Sequence, residues 1–257
     1  MSSLLSDLQG LSSPLHKFSP QQKGFPSLRL CYLPELKCIW KGPTRLVSLQ
    51  SLIHLELSSL DKLTFIFTPS LAQSLIHLET LQIKQCGGLK RLIREQDGDR
   101  KIIPESIGFP RLKTIFIYEC GKLEYVFHVS VSPSLQNLEE MKIDFADNIK
   151  QVFYNGEGDA LTRDGIINFP RLTKLSLLSC SFFCPKNFTA QLPSLKGLSI
   201  QGHKELGNLL AQLQVHPSYF STYFLLLNLN CQIQYIVIIS YFFLQISITK
   251  ANPLAIH

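Results

Sequence analysis

Cysteine, histidine and clustered carboxylates are the residues of this chain that first suggest chemistry, and their spacing argues against it. Cys180 and Cys184 lie in Cys180-Ser181-Phe182-Phe183-Cys184, but a structural zinc ion needs a second pair of ligands and none follows. The two read as one core cysteine and one loop cysteine. Asp97-Gly98-Asp99 and Gly156-Glu157-Gly158-Asp159 place carboxylates in glycine-rich runs, yet neither supplies the spaced oxygen ligands of a calcium loop, so both read as turns. His54 and His77 occupy identical Ser-Leu-Ile-His-Leu-Glu strings that fall at different points of the surrounding apolar pattern and do not align as a paired site. No Gly-x-x-x-x-Gly-Lys-Ser/Thr phosphate loop and no nucleophile motif occurs. No enzyme, no cofactor and no metal is expected.

What the chain does contain is an apolar ladder, Leu-x-x-Leu-x-Leu-x-x-Cys-x-x-Leu-x-x-Val/Leu, beginning at Phe25, Leu52, Leu78, Leu112, Leu138, Leu172 and Leu195. Of its six apolar positions in each of seven copies, only Lys186 and His203 depart. Such a chain is a repeat protein: stacked units build an extended surface suited to holding another macromolecule rather than a pocket for chemistry. The copies are spaced by 27, 26, 34, 26, 34 and 23 residues, so short and long units alternate on a 60-residue period. The excess of the long units lies in Arg94–Arg100 and Asn155–Ala160, polar and glycine-bearing stretches that read as loops. Phe109-Pro110-Arg111-Leu112 and Phe169-Pro170-Arg171-Leu172 then re-enter the ladder, and each proline is expected at the beginning of a strand.

Within a copy, pairs such as Leu81/Ile83, Ile115/Ile117, Met141/Ile143 and Leu175/Leu177 lie two apart, which sends both side chains to one face of a short strand. The later apolar positions recur every three residues, as in Cys120, Leu123 and Val126, and suit tight or 3₁₀-like returns. The predicted fold is an α/β solenoid, a horseshoe with short parallel strands on its concave face and irregular or 3₁₀ returns on its convex face. This is the leucine-rich-repeat plan, with two residues rather than one between the Cys position and the next Leu.

The phrases Leu33-Pro34-Glu35-Leu36-Lys37-Cys38-Ile39-Trp40, Cys120-Gly121-Lys122-Leu123-Glu124-Tyr125-Val126-Phe127 and Leu75-Ile76-His77-Leu78-Glu79-Thr80-Leu81-Gln82-Ile83 resemble the C-terminal repeats of plant disease-resistance proteins. Over residues 25 to 210 the likeness is to the coiled-coil nucleotide-binding leucine-rich-repeat class of intracellular immune receptors. Extracellular plant receptors would carry Asn at the Cys position followed by Gly and Ile-Pro, and no copy does. The resemblance implies a non-catalytic recognition module in plant defence, the sensing and autoinhibitory region of a receptor. Its partner would be a protein: a pathogen effector, a guarded host protein or the receptor's nucleotide-binding region. An alternative is a substrate adaptor of a ubiquitin ligase, which needs an F-box-like helical segment that residues 1 to 24 are too short and too rich in Pro and Ser to supply.

Recognition would be done by the outward strand positions, whose inward neighbours repeat while they themselves vary. Their middle row is Arg29, Glu56, Gln82, Phe116, Lys142, Ser176 and Ser199, and Tyr118 and Asp144 lie beside it. The expected protein-binding residues are Arg29, Glu56, Gln82, Phe116, Tyr118, Lys142 and Asp144.

The net charge of +6 is spread among interspersed acids and bases, without a basic block or stacking aromatics in an RNA-binding signature, so nucleic acid is not the expected partner. Cys86, Cys120 and Cys180 share one ladder position with Leu33, Leu60 and Ala146, an exchange that describes small buried apolar side chains rather than disulfide partners. The first residues lack the basic flank and apolar run of a signal peptide, so a reducing, cytoplasmic setting is expected, in which the Asn187-Phe188-Thr189 sequon stays unused.

The expected organisation is residues 1–24 as a linker or degraded repeat, 25–214 as the repeat domain and 215–257 as an apolar tail. Leu206 through Thr249 holds no Asp, Glu, Lys or Arg, and residues 219 to 248 within it are long enough to cross a bilayer, but Asn228, Asn230, Gln232 and Gln234 interrupt them, which argues against a membrane segment. Its Phe-, Tyr-, Ile- and Asn-rich composition is that of translated AT-rich noncoding sequence, and Gln214-Val215 can be encoded by CAG followed by GT, the form of a splice donor. Intron read-through or a gene-model artefact is the expected origin of the tail.

Overall fold

Alternation of apolar and polar residues calls for one covered and one open face per strand, and seven strands obey it. They are β1 (Ser27–Cys31), β2 (His54–Ser58), β4 (Thr80–Lys84), β6 (Thr114–Tyr118), β8 (Glu140–Asp144), β11 (Lys174–Leu178) and β13 (Gly197–Gln201), paired in parallel in chain order. The computed structural model describes residues 26–39, 49–94, 107–146, 148–156, 164–178, 182–201, 206–215, 223–229, 233–240 and 245–250. Residues 1–24 with Phe25, most of both insertions, Cys180 and His203 lie outside these, as does part of the tail.

Register follows the ladder without slippage. Leu28, Leu55, Leu81, Ile115, Met141, Leu175 and Leu198 pair in one inward row, and Leu30, Leu57, Ile83, Ile117, Ile143, Leu177 and Ile200 in the next. In the copies that begin at Leu52, Leu78, Leu112 and Leu138, all six ladder positions are at most 1% exposed. Each Leu, Ile, Val or Met among them contributes about 1.5–3 kcal/mol of burial free energy, which is why a one-residue slip is not tolerated.

In the copies that begin at Leu52, Leu78, Leu112 and Leu138, two tight turns bring the chain around. One precedes the strand, closed by Leu112 N donating to Phe109 O at 3.1 Å and Leu172 N to Phe169 O at 3.3 Å, with equivalents at Leu52, Leu78, Leu138 and Leu195. Pro110 and Pro170 therefore occupy the second position of this turn, several residues ahead of β6 and β11, and not the beginning of a strand. The turn suits proline because its fixed φ matches that position.

The second turn follows the strand and spans the Cys position: Leu63, Leu89, Leu123 and Ile149 donate to the carbonyls of Leu60, Cys86, Cys120 and Ala146. The residue just before it is left-handed in five copies, with φ of 57° at Tyr32, 56° at Ser59, 53° at Gln85 and Glu119 and 55° at Phe145. This bend keeps the amide in the ladder, since Gln85 N still donates to Tyr118 O at 2.8 Å, while the next side chain is sent inward. No Cβ-bearing residue adopts it freely. Gln85→Val is expected to lower the unfolding free energy by about 1–2 kcal/mol, whereas Gln85→Gly leaves it unchanged or raises it by up to ~1 kcal/mol. Urea denaturation separates the two, and equal losses would show that the bend is not strained. Gly88, in the following turn, is required for a different reason: a Cβ there would sit 2.0 Å from the Asp61 carbonyl oxygen.

The returns are more regular than irregular or 3₁₀ structure alone. Short strands pair in parallel across the back: β3 (Phe65–Phe67) with β5 (Arg91–Ile93), β7 (Phe127–His128) with β9 (Phe153–Tyr154), and β10 (Gly165–Asn168) with β12 (Phe188–Leu192) and β14 (Leu213–Val215). A 3₁₀ segment, Val129–Ser134, and a one-turn helix, α1 (Pro69–Ala72), supply the rest. Thr68 caps α1 by accepting from Leu71 N at 3.4 Å, and Pro69 stands at its first turn, where no donor is needed.

Between sheet and returns runs a column of phenylalanines, all at most 2% exposed. Phe67 and Phe109 are 6.3 Å apart, Phe109 and Phe127 5.4 Å, Phe127 and Phe153 6.1 Å, and Phe153 lies 5.4 Å from both Phe169 and Phe183. These rings link successive copies along the solenoid axis.

Where Lys186 leaves the ladder, its ammonium lies 6.0 Å above the exposed side of Phe182, and a distant residue closes the gap. Gln212, at the end of α2 (Leu206–Gln212), accepts from Phe183 N at 3.1 Å and Cys184 N at 3.3 Å and donates to Cys184 O at 2.8 Å and Pro185 O at 3.2 Å. The parallel pairing ends with Leu192 opposite Val215. Beyond it, β15 (Tyr223–Leu229), β16 (Ile233–Ser240) and β17 (Gln245–Lys250) pair antiparallel. Among the described residues no helix is long and apolar enough to cross a membrane.

Candidate functional site

Strands about 4.8 Å apart in strict register stack their outward side chains into continuous rows. The middle row is the expected one, Arg29, Glu56, Gln82, Phe116, Lys142, Ser176 and Ser199, each paired with the next across the sheet. The adjoining row holds Cys31, Ser58, Lys84, Tyr118 and Asp144.

The two rows interlock by charge. Arg29 Nε lies 3.1 Å from Glu56, and Lys84 Nζ approaches the same carboxylate at 3.5 Å. Lys84 and Lys142 then flank the Phe116 ring, 5.6 and 5.4 Å from its centroid, and Lys142 reaches Asp144 at 3.1 Å. These pairs are partly exposed, so each adds at most about 1 kcal/mol to stability. Their larger effect is to hold long side chains in place on the face.

Around Phe116 the aromatics form a platform. Tyr118 stacks at 6.3 Å with planes 4° apart, and Phe145 meets Tyr118 edge-on at 5.4 Å. The neighbouring Glu119 carboxylate raises the pKa of the Tyr118 hydroxyl. Phe145 is 48% exposed, although strand alternation beyond Asp144 would turn it inward. The left-handed bend at Phe145 reverses that, which is why it escaped notice; the sole signal for it is its place directly before the Cys position. Tyr32, 79% exposed, is the same position in the first copy.

Asp144 departs from expectation. It is only 5% exposed, held by Lys142 and by Ser176 Oγ at 3.3 Å, so it fixes its neighbours instead of offering a free carboxylate. The other six expected residues stand on the open face. His54 and His77 are apart in role: His54 opens β2, whereas His77 lies in the preceding-strand turn of the next copy with Nδ1 2.6 Å from Gln50 O.

Cys86, Cys120 and Cys184 are packing groups. Cys86 and Cys120 are fully buried and donate to the Lys84 and Tyr118 carbonyls. The hydrogen bond with Cys86 and burial both push the Cys120 thiol upward, and burial pushes Cys184 up to about 12, so neither ionises near neutrality. Among the described residues no three His, Cys, Asp or Glu side chains are placed to hold a metal ion.

Residues 7–87 match the family model of the leucine-rich repeats of plant disease resistance protein RPS2-like. The match begins ahead of Phe25 and takes in β1 through β4. No curated protein and no solved structure matches the chain. Leucine-rich-repeat solenoids of this family are generally non-catalytic, and in resistance proteins they generally mediate protein interactions.

Proposed function

We propose that this chain is a protein-recognition module of an intracellular plant immune receptor, binding through the open face of its seven-stranded sheet. The observation that carries the proposal is the contrast between rows: inward positions repeat one chemistry along the sheet, while outward positions run through arginine, glutamate, glutamine, phenylalanine, lysine and serine. Packing explains the first row and not the second. The partner is a pathogen effector, a guarded host protein or the nucleotide-binding region of a receptor, met in the cytoplasm. The recognition unit spans residues 25–214, with a tail derived from intron read-through; abundant messages that continue unspliced through the tail codons would argue against that origin.

Titration of the full chain against the nucleotide-binding region of a related receptor tests the recognition role. Phe116 is the expected anchor, and Phe116→Ala should weaken binding about tenfold, or about 1–2 kcal/mol, with little change in stability because the ring is outside the core. Capture of ubiquitin-ligase subunits in place of any receptor region would favour the adaptor reading.

A further inference from the structure

Towards β11 and β13 the open face changes character. Large residues give way to Ser176, Gly197 and Ser199, leaving a shallow depression of about 410 Å³ lined also by Lys142, Lys174 and Lys196. Of the three lysines there, Lys142 is held by Asp144, and the contact of Lys174 with Glu140 is long at 3.7 Å and well exposed. A second depression of about 470 Å³ adjoins the first through Lys196 and includes Arg171 and Glu139.

Elsewhere on the face Arg29 and Lys84 are matched by Glu56, and Lys113 by Glu79 at 2.8 Å. Lys196 has no carboxylate partner among the described residues, and Arg171 donates to an amide oxygen, Asn137 Oδ1, at 2.8 Å. An unmatched cation in a recess whose small side chains expose backbone is placed to receive a carboxylate from outside. The Phe116 platform lies on β6, one strand beyond the Lys142 wall, and offers an apolar seat beside it.

From this geometry we infer that the trough over β8, β11 and β13 docks an acidic protein segment, its Asp or Glu side chains on Lys174 and Lys196 and a neighbouring aromatic or aliphatic residue on the Phe116–Tyr118 platform. The inference rests on the open face being a protein-recognition surface, and it adds the partner's chemistry and its position along the face. Charge attraction of this kind weakens as salt rises.

The test uses the full chain and a fluorescein-labelled heptapeptide, Asp-Phe-Glu-Gly-Asp-Leu-Glu, read by fluorescence anisotropy beside its twin with every acid replaced by its amide. The acidic peptide should bind at least tenfold more tightly than the twin and lose at least tenfold in affinity with Lys174→Glu and Lys196→Glu together. Lys90→Glu and Lys122→Glu together, an equal change in charge at exposed positions outside the trough, should leave binding within twofold. Circular dichroism confirms folding, and Lys196→Gln, expected to weaken binding about threefold, serves if the double reversal does not fold. Absence of acidic-peptide binding, equal binding of the twin, or indifference to the trough variants overturns the inference. If receptor-region binding remains sensitive to Phe116→Ala in that case, recognition by the face stands and only the trough assignment falls.

Discussion

Replacing Phe153 with alanine is expected to lower the unfolding free energy by about 3–5 kcal/mol, the range for deleting a fully buried phenylalanine. Phe153 is 0% exposed and lies against Phe127, Phe169 and Phe183, at 6.1, 5.4 and 5.4 Å. Rings in three returns converge on it, so a collapse that filled the void would have to move three segments of backbone. A solenoid is held by nearest-neighbour contacts, and the loss therefore falls on the interface between adjacent copies. The expected signature in urea is a lower midpoint with a broadened transition as the two halves uncouple, whereas Phe153→Leu, keeping most of the volume, should cost about 1–1.5 kcal/mol. A loss below ~1 kcal/mol for alanine would mean that the phenylalanine column does not couple the copies.

Gln212→Leu should cost about 3–4 kcal/mol although it adds an apolar side chain to an apolar site. Four hydrogen bonds disappear at once, and the amides of Phe183 and Cys184 lose their partner in the Gln212 side chain. Buried unsatisfied groups cost about 1–3 kcal/mol each, more than the transfer gain of leucine. Gln212→Glu gives a sharper test. It retains an acceptor for the two amides but, ionised, faces the Cys184 and Pro185 carbonyls without a donor. Burial and those oxygens raise its pKa in the folded state above the unfolded value. The variant should consequently be most stable at low pH, where the protonated acid can donate, and lose stability as pH rises through the folded pKa. A loss independent of pH would sink this account. Stability unaffected by either variant would place α2 and β14 outside the cooperative unit.

Most of the solenoid was legible in the residues themselves because its rule is local. A side chain two residues from another on a strand points the same way, and seven repetitions of that rule determine which residues lie inward and which form the row from Arg29 to Ser199. The phenylalanine column was not legible, since its members come from different places in their copies: Phe109 precedes a strand, Phe127 follows a ladder valine, and Phe183 is itself a ladder position. Spacing in one dimension does not reveal that these converge.

The same division separates what sequence decides about the site from what folding decides. Periodicity alone determined the repeat, its register and the identity of the outward rows, because these follow from strand geometry and burial. Tertiary structure decided which of those residues are available: Asp144 is covered by Lys142 and Ser176, Phe145 is turned outward by a left-handed bend, and Lys196 lies in a recess without a carboxylate partner among the described residues. For Asp144 the deciding neighbour Ser176 is 32 residues away along the chain and comes within hydrogen-bond reach only when the copies stack.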